Sequence, residues 1–311
     1  MVEHCLYGVK VFSDAPLFDR PVPVSAMAPG EHAALQLREQ AGGGQASGDG
    51  AGQGTATLPE TFPLYQTHGR ELYLHTDREL ARSAPGQPWC LRVEGVVSFS
   101  WTGGQPTVHY QLHEQGTQPL LVFWFVHIFL PLHLTLERGW DFIHAAAVEV
   151  DAQPVLFIAP STGGKSTLGD YFLQRGHPML SDDKVATFLS AGQYYAVPSH
   201  PHHRPFREYE VLGYPVQPFA EQARPIHAFY VLEAGEADSA IEISEISGFR
   251  KFEQLLPNYL FSFKFLQQQR LRWLAQLADR SLVFRVNRPW DLARMHEVYE
   301  GVCAHSRGLG G

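Results

Sequence analysis

The sequence predicts an α/β protein with a P-loop core, in which a glycine-rich loop joins a buried strand to a helix, preceded by a small β-rich domain. Two observations predict the core: the apolar run VLFIA leads into the segment 159–167 and then into the helical pattern STLGDYFLQR, and a second apolar strand ends at Asp182-Asp183. The β-rich domain is predicted because most of residues 1–115 alternate apolar and polar side chains, the period of half-buried strands.

Composition restricts the class of protein. The chain has 311 residues, enough for one large or two ordinary domains, and 44 % of them are apolar. Its net charge of −8 argues against a nucleic-acid partner, which would require a basic face. The three cysteines, Cys5, Cys90 and Cys303, form no metal-binding or redox spacing, and no secretion signal opens the chain. We therefore expect a soluble, cytoplasmic protein with free thiols.

The pattern along the chain predicts the domain boundaries. Residues 1–115 contain the strand-like segments LYGVKVF, ELYLHT, WCLRVEGVVSFSW and TVHYQL, and form the predicted N-terminal domain. Residues 41–56 within it consist almost entirely of Gly, Ala, Ser and Gln, so they predict a flexible insert. Residues 116–305 form the predicted P-loop domain, and residues 306–311 a frayed tail.

Apolar periodicity predicts the main helices. The segment Leu120–Leu134 is strongly apolar but has only fifteen residues, and a spanning helix needs about 20. We therefore predict a buried core helix that ends near Gly139, and no membrane association. Further helices are predicted at SGFRKFEQLL, around residues 260–278, and over Trp290–Val302.

The segment 159–167, APSTGGKST, carries the strongest chemical signal. It matches the nucleotide-binding pattern GxxxxGK[ST] except that Ala159 replaces the first glycine. In this pattern Gly163 and Gly164 let backbone amides surround a phosphate, Lys165 reaches the β- and γ-phosphates, and the Ser166 hydroxyl binds Mg²⁺. The alternative is a chance Gly-Gly-Lys-Ser turn, which the flanking strand and helix disfavour. The predicted ATP-binding residues are Ala159, Pro160, Ser161, Thr162, Gly163, Gly164, Lys165, Ser166 and Thr167.

A pair of carboxylates and a histidine complete the predicted site. Asp182 and Asp183 end the next apolar strand, and a right-handed β–α–β crossover would bring them to the edge of the sheet that holds the loop. One carboxylate can hold Mg²⁺ and the other can accept a proton from an attacking hydroxyl. The alternative is an acidic turn that closes a strand. His144 precedes Ala159 by fifteen residues, and pattern alone favours a structural role for it.

A histidine cluster, His200-Pro-His-His203, is followed by Arg204. It could bind a metal ion or a phosphate. Its spacing fits no standard zinc motif, so a solvated loop is the simpler interpretation.

Together these residues resemble the HPr serine kinase/phosphorylase family. The stretch from His144 through Val185, with its histidine, loop, and the phrase LQRGHPMLSDDKV, is similar to the kinase core of that family. The resemblance implies an HPr-kinase-type core in which Lys165 binds phosphate, Ser166 binds Mg²⁺, and His144 and Asp183 are catalytic. In that family the second aspartate of the pair is the favoured proton acceptor.

The full chain is most similar to the HPr-kinase-like peptide kinases of lasso-peptide and related clusters, whose N-terminal region resembles LYGVKVFSDAPLF at residues 6–18. The Glu–Arg–Gly–Leu–Gly signature of the bifunctional HPr enzymes is missing. Glu210–Gly213 differs from it, with Leu212 where arginine belongs. This departure disfavours phosphorylase activity and HPr as the substrate.

We therefore expect an ATP- and Mg²⁺-dependent kinase that phosphorylates a serine hydroxyl of a peptide or small protein. Lys165, Asp182, Asp183 and His144 are the expected catalytic residues, and Ser166 and Asp182 the expected metal ligands. An exposed strand edge such as Glu71–Thr76 would capture the peptide. A kinase for free serine and a non-catalytic nucleotide-dependent switch are the alternatives, and a homo-oligomer is compatible with the sequence.

Overall fold

The computed structural model describes residues 1–18, 34–40, 60–67, 69–76, 86–160, 162–204, 209–261 and 263–309. The predicted insert at 41–56 and the predicted loop residue Ser161 lie outside the described residues. The fold is mixed α/β with several sheets, which confirms the predicted class.

The N-terminal strands form one eight-stranded sheet in the order β1-β2-β3-β8-β7-β6-β5-β4. The segment LYGVKVF is not one strand: Tyr7 and Gly8 both have positive φ and turn the chain into a hairpin, as two-residue turns between strands require. Pairing is antiparallel except on the two sides of β3. The strands are β1 Val2–Leu6, β2 Val9–Ser13, β3 Ala34–Glu39, β4 Glu60–Thr67, β5 Arg70–Thr76, β6 Trp89–Val93, β7 Val97–Trp101 and β8 Thr107–Leu112.

The strand proposed from the sequence as a peptide-binding edge is internal. β5 is hydrogen-bonded to β4 on one side and to β6 on the other. Its backbone groups are therefore already paired, and the expectation that Glu71–Thr76 is an exposed edge is wrong. Among the described strands, β1 and β4 are the edges of this sheet.

The apolar helix crosses the interior of the protein. It runs as α1 Gln118–Trp124, a π-helical turn Phe125–Phe129 and α2 Leu130–Arg138, and ends at Gly139 in the left-handed conformation. The wide turn ends two residues before Pro131, which has no amide hydrogen to donate. These 21 residues are long and apolar enough to cross a membrane, but 83 % of the apolar window is buried inside the protein. It is a core helix, as predicted, and it packs with residues of the eight-stranded sheet in one apolar cluster.

The second half of the chain contains a six-stranded sheet in the order β12-β10-β11-β18-β20-β19 and a four-stranded sheet in the order β17-β14-β13-β9. A short ladder of β15 with β16 lies beside them. The strands are β9 Asp141–His144, β10 Ala146–Val150, β11 Gln153–Ile158, β12 Met179–Ser181, β13 Lys184–Ser190, β14 Gln193–Val197, β15 His202–His203, β16 Tyr214–Pro215, β17 Arg224–Pro225, β18 Ala228–Gly235, β19 Glu242–Glu245 and β20 Val283–Pro289.

Helices cover both faces of the six-stranded sheet. Leu156 of β11 belongs to a cluster with α5, whereas its neighbour Phe157 belongs to a cluster with α3 and α6. Burial on both faces explains why β11 is continuously apolar instead of alternating. The remaining helices are α3 Lys165–Leu173, α4 Phe249–Leu255, α5 Gln267–Arg280 and α6 Met295–Gly308.

Two predicted helices begin later than the sequence pattern indicated. α5 starts at Gln267 and not near residue 260, and α6 starts at Met295, after a 3₁₀ turn that Asp291 caps by accepting from the Ala293 amide at 2.9 Å. At the other end, the segment predicted as a tail is helical through Gly308. Ser306 there is buried, and its carbonyl lies 2.9 Å from His227 Nε2.

Candidate functional site

The sheet topology brings two predicted site segments to one edge. β10 is antiparallel both to β11 and to β12, so β11 and β12 run in the same direction. The loop after Ile158 and the acidic pair after Ser181 therefore leave the sheet on the same side. Such an edge, at the carboxyl ends of parallel strands, is where open α/β sheets bind ligands.

The loop requires both of its glycines. A Cβ on Gly163 would lie 2.6 Å from the Ala159 Cβ and 2.9 Å from the Pro160 carbonyl oxygen. Gly164 has a φ of 79°, and a Cβ on it would lie 2.4 Å from Nη2 of Arg288. That nitrogen donates a 2.9 Å hydrogen bond to the Gly163 carbonyl. The backbone is thus folded tightly, and the side chain of Arg288 holds it from β20.

Helix α3 begins at the end of this loop. Its N-cap residue is Gly164, which has no side chain to cap the first-turn amides. Lys165 is 6 % exposed, and its Nζ donates a 2.7 Å hydrogen bond to the Ala159 carbonyl across the loop. Ser166 is half-buried. Three predicted loop residues are exposed, namely Pro160, Thr162 and Thr167.

Asp183 and His144, which the resemblance implies are catalytic, are in contact with each other. The Nδ1 atom of His144 lies 3.0 Å from Oδ1 of Asp183, and Nζ of Lys184 lies 3.2 Å from its Oδ2. β9 and β13 produce this contact, because His144 pairs with Lys184 across the antiparallel ladder. Burial raises the pKa of Asp183, but Lys184 and His144 outweigh it and hold that pKa well below the usual range. Asp183 is therefore an ionised carboxylate at neutral pH.

Asp182 is held by the segment that follows β14. Its Oδ2 accepts a 2.8 Å hydrogen bond from the Arg204 amide, and its Oδ1 lies 2.9 Å from Nδ1 of His203, outside hydrogen-bonding directions. His203 and His200 are almost fully buried, so the expectation of a solvated histidine loop is wrong for them. His203 lies where β15 pairs with β16 and is close to Asp170 of α3, whereas His200 packs against His127 of the core helix.

His203 connects the acidic pair to the loop helix. Its second ring nitrogen, Nε2, lies 3.6 Å from Oδ1 of Asp170 on α3. Ser166 and Asp170 are four residues apart and therefore share one face of that helix. The Ser166 face of α3 is thus directed toward Asp182, with one imidazole ring between Asp170 and Asp182.

Further polar side chains are buried behind Asp183. His127 of the core helix meets His200 edge to face, with ring centroids 4.9 Å apart. Burial lowers the pKa of both histidines, and the charge of Lys184 lowers each further. Both rings are accordingly neutral at physiological pH. Two uncharged rings therefore lie near the Asp183–Lys184 pair.

Sequence reasoning missed two residues of this site. Arg288 contacts the loop from the end of β20, and no motif in the sequence marks it. His203 was noticed only as part of a cluster, and no spacing signal relates it to Asp182 or to Asp170. Among the described residues, no group of three or more His, Cys, Asp and Glu side chains could hold a metal ion.

No family model matches the chain, and no curated protein matches it. Among solved structures, the HPr(Ser) kinase/phosphatase from Coxiella burnetii is similar, with 14 % sequence identity and a TM-score of 0.34. The match covers 55 % of this chain and 99 % of that one. This is a distant structural relationship, and the function proposed below depends on the geometry of the site.

Proposed function

We propose that this protein is an ATP-dependent kinase that transfers the γ-phosphoryl group to a serine hydroxyl of a peptide or small protein. One observation carries the proposal: the glycine loop with Lys165 and the carboxylates of Asp182 and Asp183 lie at the same sheet edge, linked through Asp170 and His203. Phosphoryl transfer needs three parts in one place: a loop that holds the phosphates, a cation, and carboxylates that bind the metal and accept the proton of the attacking hydroxyl.

The loop fits a polyphosphate. Gly163 and Gly164 let the backbone fold more tightly than residues with a side chain could, and the helix start behind them presents its amides without a side-chain cap. Helix N-termini of this kind favour anions through their amides and dipole. Lys165 is positioned at the loop by the Ala159 carbonyl and would neutralise charge on the transferring group.

The donor set fits Mg²⁺ better than a metal held by protein alone. Mg²⁺ characteristically combines one or two side chains with substrate phosphates and water, and no group of three ligating side chains occurs in the described residues. Ser166 and Asp182 would hold the ion. When bound, Mg²⁺ neutralises phosphate charge that Lys165 alone cannot.

Asp183 is the proposed base. Lys184 and His144 each contact one of its oxygens, which fixes the carboxylate without protonating it. An ionised carboxylate can accept the proton of the serine hydroxyl as the oxygen attacks phosphorus. The imidazole of His144, 3.0 Å away, orients the carboxylate.

A cleft beside this site favours a peptide over free serine as the acceptor. Its volume is about 1080 Å³, and it is lined partly by prolines and by Val211, Leu212 and Phe219. His202 of β15 also lines it, and the next residue, His203, contacts Asp182. A cleft of this size and apolar lining suits several side chains of an extended segment.

Transfer of γ-³²P to peptides encoded near this gene, to free serine and to water tests the proposal. Lys165→Ala should abolish transfer, and Asp183→Asn should reduce it by about 10²–10⁴-fold with a much smaller change in ATP affinity. Lys251→Ala is the matched control, because Nζ of Lys251 also donates to a backbone carbonyl, that of Ser281 at 2.9 Å. A folded Lys165→Ala protein that transfers phosphate at the wild-type rate would refute the kinase. Preferred transfer to free serine, or ATP binding with no transfer, would instead support one of the two alternatives.

A further inference from the structure

Trp290 is a large aromatic side chain left exposed beside the loop. It is 54 % exposed and directly follows β20. β20 is parallel to β18, which is parallel to β11, so the end of β20 lies at the same sheet edge as the loop. A Cβ on Gly164 would lie 3.8 Å from Cζ3 of Trp290, which puts the indole in contact range of the loop backbone.

Arg288 fixes the position of this ring. Its guanidinium carbon lies 4.9 Å from the centre of the indole ring and so covers one face. The same guanidinium donates to the Gly163 carbonyl, and Arg288 is only 3 % exposed. Its Nε is buried and has no hydrogen-bond partner among the described residues. A buried cation therefore holds both the loop and the indole in one arrangement.

A role in covering the guanidinium of Arg288 does not by itself explain why Trp290 is an exposed indole. An aliphatic side chain would cover the guanidinium without leaving a large π-surface in water. Leu292, two residues further on, is 73 % exposed but aliphatic, so it offers no flat surface and provides a comparison for Trp290. A flat aromatic surface beside a phosphate loop is suited to a flat ligand group.

We propose that Trp290 stacks on the base of the bound nucleotide, so that the site distinguishes nucleotides from plain polyphosphates. The inference rests on the proposed function, since it needs a nucleotide whose phosphates occupy the loop. Base–aromatic stacking tolerates different bases because every base has a π-face. The site is accordingly expected to accept ATP and GTP with similar affinity.

Calorimetric titration of the full chain with Mg·ATP and with Mg·tripolyphosphate tests this inference. Tripolyphosphate offers the same phosphates without a base. Trp290→Leu should weaken ATP binding by about 5- to 140-fold, the range that corresponds to 1–3 kcal/mol of stacking per base, and leave tripolyphosphate binding unchanged. Trp290→Phe should recover most of the loss. Leu292→Ala is the matched control and should change neither affinity.

The outcomes separate the two proposals. Equal weakening of both ligands by Trp290→Leu would show that the indole supports the loop and would overturn the stacking inference. Unchanged ATP affinity would overturn it as well, and the kinase proposal would stand in both cases. A wild-type protein that binds neither ligand would refute the nucleotide site itself, and the stacking inference with it.

Discussion

Gly164→Ala tests the contact between the loop and β20. Two separate effects oppose an alanine at this position. The φ of 79° lies in the left-handed region, which costs a non-glycine residue about 1–2 kcal/mol. The new Cβ would also lie 2.4 Å from Nη2 of Arg288, so the guanidinium must move.

Movement of Arg288 breaks its hydrogen bond to the Gly163 carbonyl. Hydrogen bonds that involve a charged group contribute about 1.5–3 kcal/mol, and Arg288 is only 3 % exposed, so the loss of the carbonyl partner is costly for its guanidinium. We therefore expect Gly164→Ala to lower the free energy of unfolding by about 2.5–5 kcal/mol.

Gly176→Ala is the matched control. Gly176 has a φ of 84°, and nothing lies within 4 Å of a Cβ built on it. Gly176→Ala should therefore lower the free energy of unfolding only by the cost of the left-handed conformation, about 1–2 kcal/mol. The measurement is the urea midpoint of each variant at unchanged slope, with ATP affinity measured in parallel.

A double-mutant cycle with Arg288→Ala isolates the contact. In that background Gly164→Ala should cost no more than Gly176→Ala does in the wild type. Equal costs for the two glycines in the wild-type protein would refute the contact between the loop and β20. The same conclusion would follow if removal of Arg288 left the cost of Gly164→Ala unchanged.

Three further predictions concern charged groups. Lys184 and His144 outweigh burial and lower the pKa of Asp183, so its ionised form stabilises the fold above about pH 4, and this stabilisation is lost only as the pH falls below that value. The rate of phosphoryl transfer should therefore show no decrease due to Asp183 between about pH 7 and 5. A decrease in that range that disappears in Asp183→Asn would contradict this prediction. Burial raises the pKa of Asp141 to about 6, so the contribution of Asp141 to stability should fall as the pH rises from about 4 to 6. Asp141→Asn should therefore be more stable than wild type by about 1–3 kcal/mol at pH 7.5 and equal to it below about pH 4, as the difference between their urea midpoints would reveal. Glu210 accepts two hydrogen bonds from Arg70 and one from Trp124, so Glu210→Gln should lower the free energy of unfolding by about 2 kcal/mol. Glu233→Gln, which breaks the exposed ion pair with Arg285, should lower it by less than about 1 kcal/mol. Similar decreases in melting temperature for the two variants would refute the predicted difference.

Local patterns predicted the parts of the fold that depend on local chemistry. The core helix ends at Gly139 as expected, because a left-handed residue terminates a helix wherever the chain must turn. The loop between β11 and α3 was likewise predictable from one short motif. Long-range pairing was not predictable: Glu71–Thr76 has the alternation of any half-buried strand, and only the position of β4 makes it internal.

The central strand β18 was missed although it lies between β11 and β20. Its segment AFYVLEAG is continuously apolar at the start, a pattern that a buried strand shares with a helix. Its neighbours along the chain are short and irregular, so no flanking repeat identified it. The predicted helix starts near residues 260 and 290 were wrong for a related reason. Apolar residues before Gln267 and before Met295 extend the helical periodicity of the sequence beyond the first residue of each helix.

The sequence alone could not divide the roles of Asp182 and Asp183, and their surroundings now favour one division. Asp182 is the more enclosed, with a side chain 9 % exposed, and the Arg204 amide and His203 contact its two oxygens. Asp183 is 27 % exposed, and its contacts come from Lys184 and His144. A metal ligand benefits from rigid placement, whereas a base must reach an incoming hydroxyl. Because His203 also faces Asp170, one turn after Ser166, the fixed carboxylate is the one aligned with the loop helix. This favours Asp182 as the partner of Ser166 in holding Mg²⁺ and leaves Asp183, the more accessible carboxylate, to accept the proton.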